Sequence, residues 1–513
     1  MTRRFYVTTP IYYVNGAPHI GHAYTSIAAD VMARFHRLAG HDVFFLTGTD
    51  EHGQKVEQAA QAAGVEPQAF VDRIAADFRG MADAMAISYD DFIRTTEPRH
   101  VTGAQALWQK VAQNDAIYLG AYEGWYALRD ECFYGEDELT TGADGQKLAP
   151  TGAPVEWVKE PSYFFRLSAF QDRLLELYEQ CPEFLGPHGA RNEIISFVRQ
   201  GLRDLSISRT SFKWGIPVPG DEAHVMYVWF DALANYLSAL GFPDMDTPRA
   251  AFWPADLHLV GKDIARFHAI YWPAFLMAAG IDVPRRVFAN GWWTIEGQKM
   301  SKSIGNVIDP RDLVREFGLD AVRFFLLREV PFGGDSDLSR KALITRNNVE
   351  LANDLGNLAQ RTLSLVAKNC EGMIPERGEA SVEDTQLLAQ VAVLPQLMAS
   401  QMERCALTDA LEDVWKVIRA CNAYIDHQAP WALRKTDTVR MASVLRVLLD
   451  ALRGIATVLQ PFMPQTMERM LDQLAVQPDE RTLAALETAL PAGRALPAPQ
   501  GLFPRYVEPE ATA

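Results

Sequence analysis

His19 and His22 stand three residues apart around Gly21 in the run TTPIYYVNGAPHIGHAYTSIAADV, residues 8–31. A β-like stretch, a turn at Asn15-Gly16 and Pro18, and a stripe of Ile27, Val31 and Phe35 place both imidazoles at a helix start. Such a start offers free backbone N–H groups and the positive end of the helix dipole, which suit phosphate. Gly21 removes a side chain where a flat base or a phosphate must come close. Both histidines, one turn apart, can donate to phosphate oxygens. A second stretch fits the same chemistry: WTIEGQKMSKSIGNVID carries Lys299 and Lys302, with hydroxyls between and after them, on a glycine-flanked loop. Two lysines three apart suit a polyphosphate chain. Taken alone, the first motif also suits capping or packing histidines, and the second a solvated basic loop.

The elements that must position these residues alternate in kind. RFYVTTP and DVFFLTGTD read as buried parallel strands, and GQKVEQAAQAAG as a helix between strands. VMYVWFDALANYLSAL and LHLVGKDIARFHAIYWPAFLMAAG each read as a strand turning into a helix. Between them, residues 115–225 mix aromatics, glycines and charges and predict an inserted module of short strands and loops. From about residue 340 the pattern is helical, with short polar breaks, as in an antiparallel bundle. The fold class is α/β: a Rossmann-type parallel-sheet domain split by an inserted connective module, then an all-α helix bundle. The boundaries read as 1–114 and 226–290 for the two halves of the sheet domain, 115–225 for the insert, 291–345 for the lysine loop and its following region, and 346–513 for the bundle and tail. The Pro- and Ala-rich tail is expected to be extended, with Phe503 and Tyr506 pinning it to the body.

Bulk properties bound the function. The 513 residues suggest about three domains, and 48% apolar with 22% charged residues is a globular composition. No stretch is long and apolar enough for a membrane span, and the N-terminus lacks the apolar block of a signal peptide. Five scattered cysteines without a CxxC pair point to a reducing, cytoplasmic setting. A net charge of −16 argues against a nucleic-acid partner unless local patches serve it.

Together, HIGH and KMSKS, in this order and in an α/β context, resemble the signature pair of class I aminoacyl-tRNA synthetases. PIYYVNGAPHIGH, TDEHG, GLRDLSISR with WGIPVP, VWFDALANY, GKDIARFH and QAPW are similar, over nearly the whole chain, to the methionyl-tRNA synthetase family. The resemblance implies a ligase that activates L-methionine with ATP and Mg²⁺ and passes it to tRNA(Met). It implies that His19, Gly21, His22, Lys299 and Lys302 hold the ATP phosphates. Ile11, Tyr13, Asp50, Trp229, Leu233, Tyr236, Ile264, Phe267 and His268 would surround methionine, with Asp50 on its ammonium. Read without the family, Trp229, Tyr236 and Phe267 are core aromatics rather than pocket residues. Gly261 and Asp263 would hold the adenylate's ribose, and Trp293 would lie beside the adenine. Asn357, Arg361, Pro430 and Trp431 would contact the anticodon in the bundle, with Arg434, Lys435 and Arg440 as a local basic patch; on residue type alone Trp431 could instead pack the bundle.

Many members of the family hold zinc in the insert through CxxC pairs. Here YALRDECFYGEDEL has only Cys132, off the expected position, and KLAPTGAPVEW has Ala149 in place of a cysteine. No metal is therefore expected; apolar contacts and hydrogen bonds involving Arg129, Asp130 and Glu131 would hold the knuckle. The chain stops soon after the bundle, so a monomer is expected. Rival readings are a class I synthetase for another amino acid, a catalytically dead tRNA-binding paralogue, and a nucleotidylyltransferase with an HxGH signature.

Overall fold

The computed structural model describes residues 3–142, 144–295, 297–299 and 307–508, without the side chains of Tyr122 and Lys299. Its centre is a parallel sheet of seven strands. β1 (Arg4–Thr8) is followed by α1 (Ile20–Leu38), β2 (Asp42–Asp50), α2 (Pro67–Ala84) and β3 (Asp91–Arg94). The insert contributes β4 (Ile117–Ala127) and β5 (Glu156–Phe165), and the chain returns through β6 (Leu185–Gly186), β7 (Leu257–Gly261) and β8 (Val287–Asn290). The sheet order is β6–β8–β7–β1–β2–β3, with Tyr12–Tyr13 lying beside the last residues of β2. The last seven residues of β2 are all buried, which is why this strand reads as a nearly unbroken apolar run. Gly48 is required there: a Cβ would come within 2.0 Å of the Ile93 carbonyl oxygen on β3.

The insert differs from its sequence reading. β4 and β5 form one long antiparallel ribbon, from Ile117 opposite Phe165 to Tyr126 opposite Glu156. Cross-strand aromatic pairs hold it: Tyr118 stacks on Phe164, and Trp125 meets Trp157 edge-on. Gly120, Glu123 and Gly124 lie within the ribbon, while Gly135, Gly142, Gly145 and Gly152 lie among the loops and short strands between its arms. The same 115–225 stretch also supplies β6, an edge strand of the main sheet, hydrogen-bonded to β8.

Helices follow: α3 (Leu319–Arg328), α4 (Asn357–Asn369), α5 (Leu407–Gln428) and α6 (Thr438–Leu459). One continuous apolar core runs from β1 and α1 through α3 into α4, α5 and α6; a second core covers the other face of the sheet. The tail is extended and tied down. Ile374 N–H donates to the Arg494 carbonyl at 2.9 Å, and Tyr506 packs on Phe317 while its hydroxyl donates to Glu316 at 2.6 Å. Among the described residues no helix is long and apolar enough to cross a membrane.

A buried ion pair joins the halves. Arg323 on α3 and Asp30 on α1 meet at 2.7 Å with both side chains fully buried. The same guanidinium donates to the carbonyls of Met85, Pro461 and Phe462. Burial would raise the Asp30 carboxyl, but Arg323, Arg34 and Ser88 hold it below the usual carboxylate range. Arg323→Met leaves buried Asp30 with only Arg34 and Ser88, and is expected to cost about 3–5 kcal/mol, read as a lower urea midpoint. Adding Asp30→Asn should recover part of the loss; an unchanged midpoint in the single variant would refute the role.

Candidate active site

The first turn of α1 is built by its own histidines. His19 is the N-cap, and its Nδ1 accepts from Gly21 N–H at 3.1 Å. His22 Nδ1 accepts from His19 N–H at 3.2 Å, and the two rings stack 3.8 Å apart. An accepting Nδ1 commits each neutral ring to carrying its proton on Nε2, the donor a phosphate oxygen needs. The rings are braced from behind. Tyr12 stacks on Phe78 of α2, His22 meets Phe78 edge-on, and the Tyr12 hydroxyl donates to the His22 carbonyl at 3.1 Å. Ile20 N–H donates to the Ile308 carbonyl at 3.2 Å, so the helix start touches the chain that leaves the lysine loop. Lys302 itself lies outside the described residues, and Lys299 is described only through its backbone, in a short strand Gln298–Lys299.

Asp50 ends β2, beside the helix start, because Tyr13 pairs with it and Val14 N–H donates to its carbonyl at 3.1 Å. Its carboxylate shares a chamber with other acids, and the contrast among them is informative. Glu51 is bound by Arg94 at 2.7 and 3.0 Å, and by Thr49 and Thr96. Asp231 is held between His52 and His100, each at 2.7 Å; burial opposes its charge, yet the two imidazoles hold its carboxyl low. Asp50 has no such partner: it is 7% exposed and its Oδ1 accepts no hydrogen bond among the described residues. Burial, then Asp231, Glu131 and Glu51, push the Asp50 carboxyl well above the ordinary carboxylate range. The site is prepared for a cation that the protein does not itself provide.

An apolar wall stands next to this carboxylate. Leu233 and Tyr236 belong to the core under the sheet, and Ile11, Tyr13, Trp229 and Ile264 pack against it partly buried. Trp229 lies flat on Phe267 at 3.7 Å, with His268 edge-on to it at 6.3 Å. His268 donates from Nδ1 to the Ile264 carbonyl at 3.0 Å, which leaves Nε2 to accept the Tyr236 hydroxyl at 2.7 Å. Burial lowers this imidazole to about 4, so the ring is neutral at physiological pH. These contacts join Trp229, Phe267, His268, Tyr236 and Ile264, while Ile11, Tyr13 and Leu233 share the same core.

Gly261 ends β7, next to Asn290 of β8, and a Cβ there would meet Asp263 Oδ1 at 2.6 Å. Trp293 does not flank this place. It is 2% exposed, edge-on to Tyr24 and packed on Phe325, so it belongs to the core. Its neighbour Trp292 is 42% exposed, and its indole N–H reaches Asp263 at 3.4 Å with the Lys262 ammonium 3.9 Å from its ring. Strand alternation explains the exchange: adjacent residues face opposite ways. Sequence reasoning also missed His52, His100, Asp231 and Phe78. Asp231 left one signal, a lone acid inside the apolar run VWFDALANYL.

In the helical region, Arg361 on α4 sits over the Trp431 ring at 5.3 Å and pairs with Asp426 at 2.6 Å. Trp431 is 40% exposed, Asn357 is exposed one turn before Arg361, and Pro430 is buried at the first turn after Ala429. Arg440 is not part of an open basic patch, since it is bound to Asp384 at 2.6 and 2.7 Å and to Gln428 at 2.8 Å. Arg434 and Lys435 are exposed.

In the insert, Ala149 is buried with Ala127, Ala153 and Val155 under Trp125, Tyr134 and Leu139. Arg129 donates to the Thr151 carbonyl at 2.7 Å, and Tyr134 and Thr151 both donate to Asp130. Among the described residues, no group of three or more His, Cys, Asp or Glu side chains is arranged to hold a metal.

Comparison with known proteins bears on the same residues. A family described as tRNA synthetases class I (M) matches residues 5–363, and one described as the anticodon binding domain of methionyl tRNA ligase matches residues 374–512. Methionine--tRNA ligase of Brucella suis is 55% identical over 506 residues, 98% of each chain. That of Rickettsia felis is 55% identical over 511 residues, 99% of each. The structure of Mycobacterium tuberculosis methionyl-tRNA synthetase in complex with methionyl-adenylate superposes with a TM-score of 0.97 at 50% identity, covering 98% of this chain and 100% of that one. Its ligand-free form gives 0.90 at 47% identity, over 99% of each chain. With both halves matched and full-length relatives well above 30% identity, the chain belongs to the methionyl-tRNA synthetase family of class I.

Proposed function

We propose that the chain activates L-methionine with ATP and transfers the methionyl group to the 3′ end of tRNA(Met). The observation that carries this reading is the uncompensated Asp50 carboxylate beside an apolar wall of Trp229, Phe267, Tyr236 and His268. An α-amino acid brings the missing cation as its ammonium. Aromatic rings around a thioether suit methionine's polarizable sulfur. Held there, one methionine carboxylate oxygen attacks the α-phosphorus of ATP. The P–O bond to the pyrophosphate breaks, and the electron pair leaves with that group. Such a step requires positioning and charge stabilisation more than covalent help.

His19 and His22 act as Nε2–H donors to the phosphates at the start of α1, with Lys299 and Lys302 assigned to the pyrophosphate side by their motif. Mg²⁺ comes with the ATP phosphates, which need no protein cage of their own. Gly261, Asp263 and Trp292 are assigned to the adenosine, Trp292 replacing Trp293. In the second step a ribose hydroxyl of the tRNA attacks the methionyl carbonyl and AMP leaves. Asn357, Arg361, Pro430 and Trp431 are assigned to the anticodon, with Trp431 as a stacking platform for an unstacked base.

ATP–pyrophosphate exchange across the twenty amino acids, without tRNA, tests the first step. Exchange with methionine alone is expected; exchange with another amino acid would keep the class and overturn the pocket. Asp50→Asn should lower kcat/KM for methionine by roughly 30–5,000-fold, since one partner of a buried charge pair is removed. The same variant should be more stable without ligand at pH 7, by about 1–3 kcal/mol. The sign follows from the raised carboxyl: the fold favours protonated Asp50, so its charge weakens the fold only where it is ionised. The gain should fade as pH falls toward about 4, where the unfolded carboxyl is also half protonated. Trp431→Ala should leave exchange unchanged and lower tRNA charging by about 5–150-fold, the equivalent of 1–3 kcal/mol of stacking. Equal loss in both steps would make Trp431 a packing residue.

A further inference from the structure

Glu131 belongs to the insert, yet its side chain is 5% exposed and reaches the wall of the amino-acid pocket. Oε1 accepts the Tyr13 hydroxyl at 3.0 Å and Lys55 N–H at 3.2 Å. Oε2 accepts the Tyr126 hydroxyl at 2.6 Å. The Glu131 carbonyl accepts the Tyr227 hydroxyl at 2.9 Å, two residues before Trp229. One residue therefore gathers the strand that carries Tyr13, the helix that follows Asp50, the ribbon of the insert and the segment that carries Trp229. Its backbone is in the left-handed region at φ +50°, a conformation that costs an L residue about 1–3 kcal/mol and persists only where the surroundings enforce it. Gly53, at φ +111°, makes room: a Cβ there would lie 2.7 Å from the Tyr13 hydroxyl and 3.2 Å from Glu131 Oε1.

We infer that Glu131 is a positioning residue of the methionine site, by which the insert fixes Tyr13 and adds negative potential beside Asp50. This rests on the proposed activation of methionine. The described contacts of the Glu131 carboxylate are hydroxyls and one amide, not a cation. The Arg209 guanidinium lies over the rings of Phe133, Tyr227 and Tyr126 at 4.3, 4.6 and 5.5 Å, so aromatic rings cage it. The two hydroxyls and the amide fix this carboxylate within the pocket wall. Consistent with that, Glu131 is among the groups that raise the Asp50 carboxyl, after burial and Asp231. Both effects favour an ammonium in the pocket and leave the ATP side untouched. A residue that only closed the knuckle would have neither effect.

The test is ATP–pyrophosphate exchange by the full chain, varying methionine and ATP separately. Glu131→Gln, which keeps the shape and loses the charge, should raise KM for methionine about 10-fold and leave KM for ATP within about 2-fold. Tyr13→Phe, which keeps the ring and loses the hydroxyl, should raise KM for methionine about 3–10-fold. The double variant should exceed Glu131→Gln by less than the product of the two single effects, because the Tyr13 contact is shared while the charge is not. Unchanged KM for methionine in Glu131→Gln, multiplying effects in the double variant, or a parallel rise of both KM values with a lowered unfolding temperature would each overturn the inference. Wild-type protein run alongside separates the levels: if it shows no exchange with methionine, the reading of the reaction fails instead.

Discussion

The contact between Asp30 and Arg323 is the constraint on which the rest of the arrangement depends. It lies on α1, whose first turn carries His19 and His22 and whose middle is buried. A carboxylate and a guanidinium removed from water need further partners, and here they have them: Arg34 and Ser88 on the acid, three main-chain carbonyls on the base. Two of those carbonyls, Pro461 and Phe462, belong to the helical region. The sheet and the bundle are therefore joined at a fixed point as well as by a shared apolar core. The bundle surface that carries Arg361 and Trp431 is thereby fixed relative to the start of α1.

The chamber at the end of β2 shows the complementary strategy. Glu51 and Asp231 are buried acids whose charge the protein answers with Arg94, or with His52 and His100. Asp50 is a buried acid with no cation among its described partners: the His52 backbone N–H favours its charge and Oδ1 accepts nothing. After burial, Asp231, Glu131 and Glu51 close beside it raise the cost of its charge. Function here is bought with local instability, as expected where a site is shaped for a ligand charge rather than for the free protein.

The α/β grammar and the helical half were legible because they rest on short-range patterns: apolar runs, helical stripes and turn residues. The pocket residues were named through the family resemblance, since residues as distant in sequence as Trp229 and Phe267 stack only in three dimensions. What stayed hidden depended on direction or on pairing. Trp292 and Trp293 differ only in which face of a short strand they occupy, and nothing in WWTIEG says which face is outward. Arg440 reads as a surface base until Asp384, fifty-six residues earlier, is seen to hold it. The length of the β4–β5 ribbon, read as short strands and loops, stayed hidden because its stability comes from cross-strand rings, which no single strand displays.

The insert shows how a knuckle can close without thiolate ligands. A zinc site needs deprotonated sulfur, and Cys132 is poorly suited to provide it: burial, with Glu138 and Asp130, pushes its thiol up to about 12. Its place in the turn is instead next to Asp130, which binds Tyr134 and Thr151, and Glu131, which binds Tyr13 and Tyr126. The small core of Ala127, Ala149, Ala153 and Val155 fills the space between the two arms. A metal would join the arms to each other and stop there. Carboxylates in the same turn face both ways, so closing the knuckle and contacting the catalytic sheet become one structural event. This ties the shape of the insert to the wall of the pocket, which a knuckle sealed on itself would not do.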